Sequence, residues 1–93
     1  MIHLYNNNTN YNHFDILQEA RQDLMGEIEA VMQYDNHIRN TQNMVAKNTW
    51  TDIRDEELVH LGQLFAMVLY LDPSQKALIE KGMKEFDDRL MKK

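Results

Sequence analysis

The stretch Ile53-Arg54-Asp55-Glu56-Glu57-Leu58-Val59-His60-Leu61-Gly62-Gln63-Leu64 decides the fold. Ile53, Glu57, His60 and Leu64 recur in steps of four, three and four, the period of one face of an α-helix. Glu57 and His60 stand where that face calls for apolar residues, and their i, i+3 spacing points them the same way. A carboxylate in an apolar seam costs on the order of a few kcal/mol to bury unless a cation sits against it.

Extended in both directions, the stripe runs Ala46, Trp50, Ile53, Glu57, His60, Leu64, Met67, Leu71 and predicts a helix over about 44–71. Asp72-Pro73 then ends one helix and starts the next, with Asp72 as cap and Pro73 in the first turn. A third, shorter helix over about 73–91 carries Ile79, Met83, Phe86 and Leu90 on one face, and its basic end, Lys92-Lys93, suits the helix dipole. Upstream, the polar cluster Asn40-Thr41-Gln42-Asn43 reads as a turn. Before it, Leu17, Ala20, Leu24, Glu27, Val31, Tyr34 and Ile38 form a stripe over about 13–39, with Asn12 as cap and Asp15 supporting the first turn. Residues 1–12 are polar, asparagine-rich and without period, and read as a flexible leader ahead of one helical domain, 13–93. The expected fold is all-α, an antiparallel hairpin of two long helices plus a short C-terminal helix.

Glu27 is the acid of the first stripe. If the hairpin turns at Gln42, Glu27 and Glu57 each lie 15 residues from the apex, roughly 22 Å at 1.5 Å per residue. Two independent seams thus place their acids at one level. One Glu from one helix and Glu-x-x-His from another are half the ligand set of a di-iron carboxylate bundle. The segment Phe65–Leu71 is apolar all round, so it needs cover on several sides. The third helix is expected on one side and a partner subunit on another. A two-fold dimer of hairpins makes a four-helix bundle with two copies of each ligand.

The expected metal ligands are therefore Glu27, Glu57 and His60. Carboxylates with one imidazole per metal suit Fe(II) or Mn(II) more than structural Zn(II), with Mn and Zn as substitutes. Four carboxylates per dimer balance two divalent ions, and ferrous oxidation is the natural chemistry. Glu-x-x-His alone is a weak motif; its phase in the stripe is what singles it out. Glu19 is off the first stripe. Glu29 lies about 200° around the helix from Glu27, and reads either as a surface residue or as an accessory cation site where symmetry copies meet. Tyr34, two turns after Glu27, is a core tyrosine or a hydrogen-bond partner of a ligand carboxylate, and the two roles are compatible. His3, His13 and His37 read as surface or capping residues. Asp55 and Glu56 face solvent or a neighbour, and Trp50 and the methionines are filler.

Composition narrows the class. The net charge of −5 argues against nucleic-acid binding. Cysteine is absent, which removes disulfide scaffolds, thiolate zinc sites and iron–sulfur clusters. No apolar run reaches the length of a membrane span, and the opening MIHLYNNNTNYNH lacks the regions of a secretory signal, so a cytoplasmic location is expected.

Gly26-Glu27-Ile28-Glu29-Ala30-Val31-Met32-Gln33-Tyr34-Asp35, Arg54-Asp55-Glu56-Glu57-Leu58-Val59-His60 and Leu71-Asp72-Pro73 together resemble the encapsulated ferritins, short relatives in the ferritin-like, rubrerythrin-like group. The resemblance covers about residues 13–90. It implies a ferroxidase centre built across a dimer interface, two irons per dimer, dimers joined in an annular decamer, and a part in iron storage. By position it implies Glu27, Glu57 and His60 as ligands, Tyr34 as the tyrosine near the site and Glu29 as an acid of a metal entry site. The sequence departs from the family at Gly26, where a second Glu is frequent, and at Gln33, where Trp is frequent. Packaged members carry a targeting tail; none is evident up to Lys93, and an encapsulin shell stays a candidate partner and mineral container. Two other readings stand beside the ferroxidase: a di-metal protein that reduces peroxide or dioxygen, and a non-enzymatic metal-binding assembly or cargo module.

Overall fold

The computed structural model describes residues 13–92. The expected leader and the Asn12 cap lie outside these residues. Three helices follow one another: α1 (His13–Asn40), α2 (Met44–Leu71) and α3 (Pro73–Met91). They make the hairpin-plus-helix architecture expected of the sequence.

The turn between α1 and α2 is only three residues long, because its polar side chains take over backbone bonds. Asn43 caps α2, its side chain accepting from the Ala46 amide at 3.0 Å, while its own amide donates to the Thr41 hydroxyl at 3.2 Å. A loop this short forces α1 and α2 to lie side by side and antiparallel.

The α2–α3 corner is built on Asp72. Its amide donates to the Val68 carbonyl at 3.1 Å, closing α2. Its carboxylate accepts from the Ser74 hydroxyl at 2.7 Å and the Gln75 amide at 3.3 Å, and Pro73 occupies the first turn. Arg21 of α1 ties in, donating to Gln75 Oε1 at 3.0 Å and standing 3.6 Å from Asp72. These bonds hold the Asp72 carboxyl below the usual carboxylate range: the Ser74 hydroxyl first, then the Gln75 amide and the Arg21 charge.

Beyond that corner α3 leaves the hairpin. The described residues fill a slab of 50 × 47 × 14 Å. Among the described residues α3 meets the hairpin only near that corner, every residue from Glu80 onward being exposed, and it covers neither hairpin face. The buried core is accordingly Leu17, Ala20 and Val68, with Leu24 and Leu71 packed against it. The expected cover of residues 65–71 by the third helix is not there: Tyr70 is 79% exposed and Met67 40%. The tight Asp72–Pro73 corner turns α3 away instead of letting it fold back.

Candidate metal centre

The hairpin geometry brings three functional groups together at mid-height. One ligand atom each from Glu27 on α1 and Glu57 and His60 on α2 lie within 4.8 Å of one another. His60 Nδ1 is 3.5 Å from Glu57 Oε1 and 4.0 Å from Glu27 Oε1. Among the described residues this is the group of acids and histidines placed to hold an ion.

The electrostatics are those of a site short of positive charge. Glu27 Oε1 is shut off from solvent and has no hydrogen-bond partner. Buried polar atoms are normally satisfied, so an orphaned carboxylate oxygen calls for an explanation such as an ion. The Glu27 carboxyl is raised above its ordinary value. Glu57, close enough to share a proton with it, is the largest cause; partial burial and repulsion from Glu57 add to it, Asp23 contributes, and only His60 opposes. A cation between the carboxylates would relieve each of these.

The site is also shallow. His60 is 54% exposed, and an open depression of about 620 Å³ lies over Glu27 and His60, lined also by Asp23, Gly26, Gln63 and Met67. Gly26 leaves open space where a side chain would stand. Three donors on an open face hold half of an octahedral shell.

The other sequence-predicted residues fall elsewhere. Glu29 is exposed and, some 200° around α1 from Glu27, takes no part in the cluster. Tyr34 is half-buried toward the turn, edge-on to His37 at 6.0 Å, with no bond to the clustered groups. Glu56 is exposed, and Asp55 pairs with Arg54 Nε at 3.0 Å. His37 differs from its reading as a surface or capping residue: it is half-buried, and its ring lies 4.7 Å from that of Trp50. Counting only apolar positions misses it; the i, i+3 spacing of Tyr34 and His37 was the available signal. The Arg54–Asp35 ion pair, bridging α2 and α1, was also not singled out. It sits one turn from Glu57 and keeps the guanidinium occupied with Asp35 and Asp55 rather than with the clustered acids.

This three-helix hairpin architecture with clustered acids is a ferritin-like helical fold. It superposes on the crystal structure of the encapsulated ferritin domain from Pyrococcus furiosus with a TM-score of 0.82, covering 95% of this chain and 92% of that one at 24% identity. In sequence the chain is similar to a ferritin-like–encapsulin shell fusion protein of Pyrococcus furiosus, 26% identical over 82 residues. That match takes in 88% of this chain and 24% of the relative, so the chain spans about a quarter of the relative's length. No protein-family model matches the chain. The resemblance to encapsulated ferritins seen in the sequence is thus supported by fold and by sequence together.

Proposed function

We propose that the protein is a ferroxidase, oxidising Fe(II) to Fe(III) at a di-iron centre shared between two copies. The observation that carries the reading is the meeting of Glu27, Glu57 and His60 from two helices around an orphaned carboxylate oxygen. Three donors per chain are too few for one hexacoordinate ion, and they open onto an uncovered face. A second copy packed on that face brings the same three groups again and closes a four-helix bundle. Glu27 and Glu57 of both copies would then hold and neutralise two ferrous ions, with the His60 imidazoles as further donors. Two ferrous ions lose one electron each, and dioxygen taking both with two protons leaves as hydrogen peroxide. Tyr34 lies on the same face of α1 two turns away and serves as a supporting residue. Glu29, exposed and turned aside, serves as an acid near the metal's path.

The Pyrococcus furiosus relative is a fusion of a ferritin-like part with an encapsulin shell. That favours a nanocompartment as the place where this protein hands over ferric iron, and with it a role in iron storage.

The test is anaerobic Fe(II) titration followed by air. The shared centre saturates near one iron per monomer, and Glu57→Ala abolishes fast oxidation. Two tight irons on an isolated monomer, or full activity in the variant, refutes it. Turnover with a continuing electron donor and no net iron oxidation would favour peroxide or dioxygen reduction instead. An assembly that survives chelation and oxidises nothing would favour the cargo module.

A further inference from the structure

The depression over the site has one lining group that ferrous oxidation leaves idle. Met67 shares it with Glu27 and His60 and is 40% exposed. It stands two turns after His60 on α2, about 10.5 Å along the axis. Long helical side chains lean toward the N-terminal end of their helix, which brings the Met67 thioether back toward His60. Leucine would fill this place in the α2 stripe about as well. What methionine adds is sulfur, and no other residue lining the depression carries any.

Hydrogen peroxide is what leaves when two ferrous ions reduce dioxygen. One molecule held in about 620 Å³ is at a local concentration on the order of 1 M. Peroxide oxidises soft, polarisable groups first. The chain has no cysteine, so its thioethers are its softest nucleophiles. The carboxylates, the amides of Gln22 and Gln63, and Leu64 around Met67 are inert beside them.

We infer that Met67 is a peroxide-trapping modification site, converted to the sulfoxide by hydrogen peroxide leaving the centre. The sulfur lone pair attacks one peroxide oxygen, the O–O bond breaks and an S–O bond forms. The second oxygen leaves as water with both protons. Sulfur gives up two electrons and peroxide takes them. A methionine sulfoxide reductase restores the thioether, so each cycle removes one peroxide where it is made. The inference rests on the ferroxidase reading, which supplies the peroxide.

Exposure separates this trap from ordinary oxidative damage. Met25, Met44 and Met91 are 65%, 61% and 84% exposed and lie outside the depression. Oxidant in bulk solution reaches them before Met67, whereas oxidant born in the depression reaches Met67 first.

The test adds Fe(II) in small aerobic pulses to the full chain, with catalase in solution to destroy escaped peroxide. A ferrous chelator follows iron loss, and peptide mass mapping measures sulfoxide at each methionine. Met67 is expected to lead Met25, Met44 and Met91 severalfold. With metal-free protein, added hydrogen peroxide and no catalase, the order is expected to reverse. Met67→Leu, again without catalase, is expected to raise the peroxide recovered in solution per iron oxidised. Iron oxidation that leaves Met67 no more oxidised than the exposed methionines overturns the trap. So does a lead that catalase abolishes, a Met67 lead in the metal-free arm, or unchanged peroxide release from Met67→Leu. Oxygen added to Leu64 or Gln63 as readily as to Met67 also overturns it, since that is radical attack. Fe(II) that persists in air sinks the ferroxidase reading and the trap together, so the iron measurement tells the two failures apart.

Discussion

Metal should stabilise this protein strongly, and the stabilisation should disappear with one atom-for-atom change. Glu27 and Glu57 stand together in the cluster with Glu27 Oε1 unpartnered. Glu27→Gln keeps the shape, removes one of the two charges and puts an amide donor within reach of Glu57. An ion that binds only the folded state at 100 times its dissociation constant adds about 2.7 kcal/mol. For a chain of this size 1 kcal/mol moves Tm by about 4–8 °C, so saturating Zn(II) should raise the wild-type Tm by roughly 10–20 °C. Removing a residue that merely supports a metal ligand costs about 10–100-fold in affinity, so losing a charged ligand should cost more and erase most of that shift. The metal-free variant should in turn melt above the metal-free wild type, since a repulsive pair is gone. The pH dependence has a definite sign. Glu27 is held above its ordinary value in the folded protein. Its contribution therefore favours folding below the ordinary glutamate value and is lost as pH rises through the raised one. Bound metal, which needs the ionised carboxylate, should reverse that trend. Differential scanning calorimetry of both proteins, with and without Zn(II), across pH 4–8 reads all three effects. An equal Zn(II) shift in Glu27→Gln would refute the reasoning, as would a wild-type Tm that Zn(II) leaves unmoved.

Three smaller predictions concern the frame and the rim of the site. Asn43→Ala removes the cap bond to the Ala46 amide and should cost about 0.5–2 kcal/mol in denaturant unfolding; an unchanged midpoint would mean the three-residue turn does not depend on it. Asp72 is held below its ordinary value by Ser74, Gln75 and Arg21. Its stabilisation is present above the ordinary aspartate value and is lost as pH falls through the depressed one, so Asp72→Asn should flatten the acid limb of the Tm-versus-pH curve relative to wild type. Glu29→Gln, at an exposed position away from the cluster, should leave Zn(II) stoichiometry unchanged while Glu57→Gln reduces it; equal loss in both by calorimetric titration would place Glu29 among the ligands.

The stripes of α1 and α2 were legible because each seam must be apolar to pack, so an acid in phase stands out. Equal distance from Gln42 was enough to anticipate that Glu27 would meet Glu57 and His60. His37 was legible only in part: its i, i+3 spacing from Tyr34 put it beside the stripe, but a ring on that margin can face solvent or a neighbouring Trp, and only the azimuth of α2 against α1 chooses Trp50. The direction of α3 was not legible. Asp72-Pro73 announces a corner, but the angle comes from the bonds of Asp72 to Val68, Ser74 and Gln75 and from Arg21 reaching across from α1.

By itself, then, the sequence determined three helices, their turns, and which three groups share a level, because periodicity, capping and rise per residue are local properties. Tertiary structure alone decided that α3 covers neither face of the hairpin, that the site opens on one face, and that α3 is held out as an arm. Those are questions of how helices lie beside one another, and they depend on contacts between residues distant in sequence that no local pattern encodes.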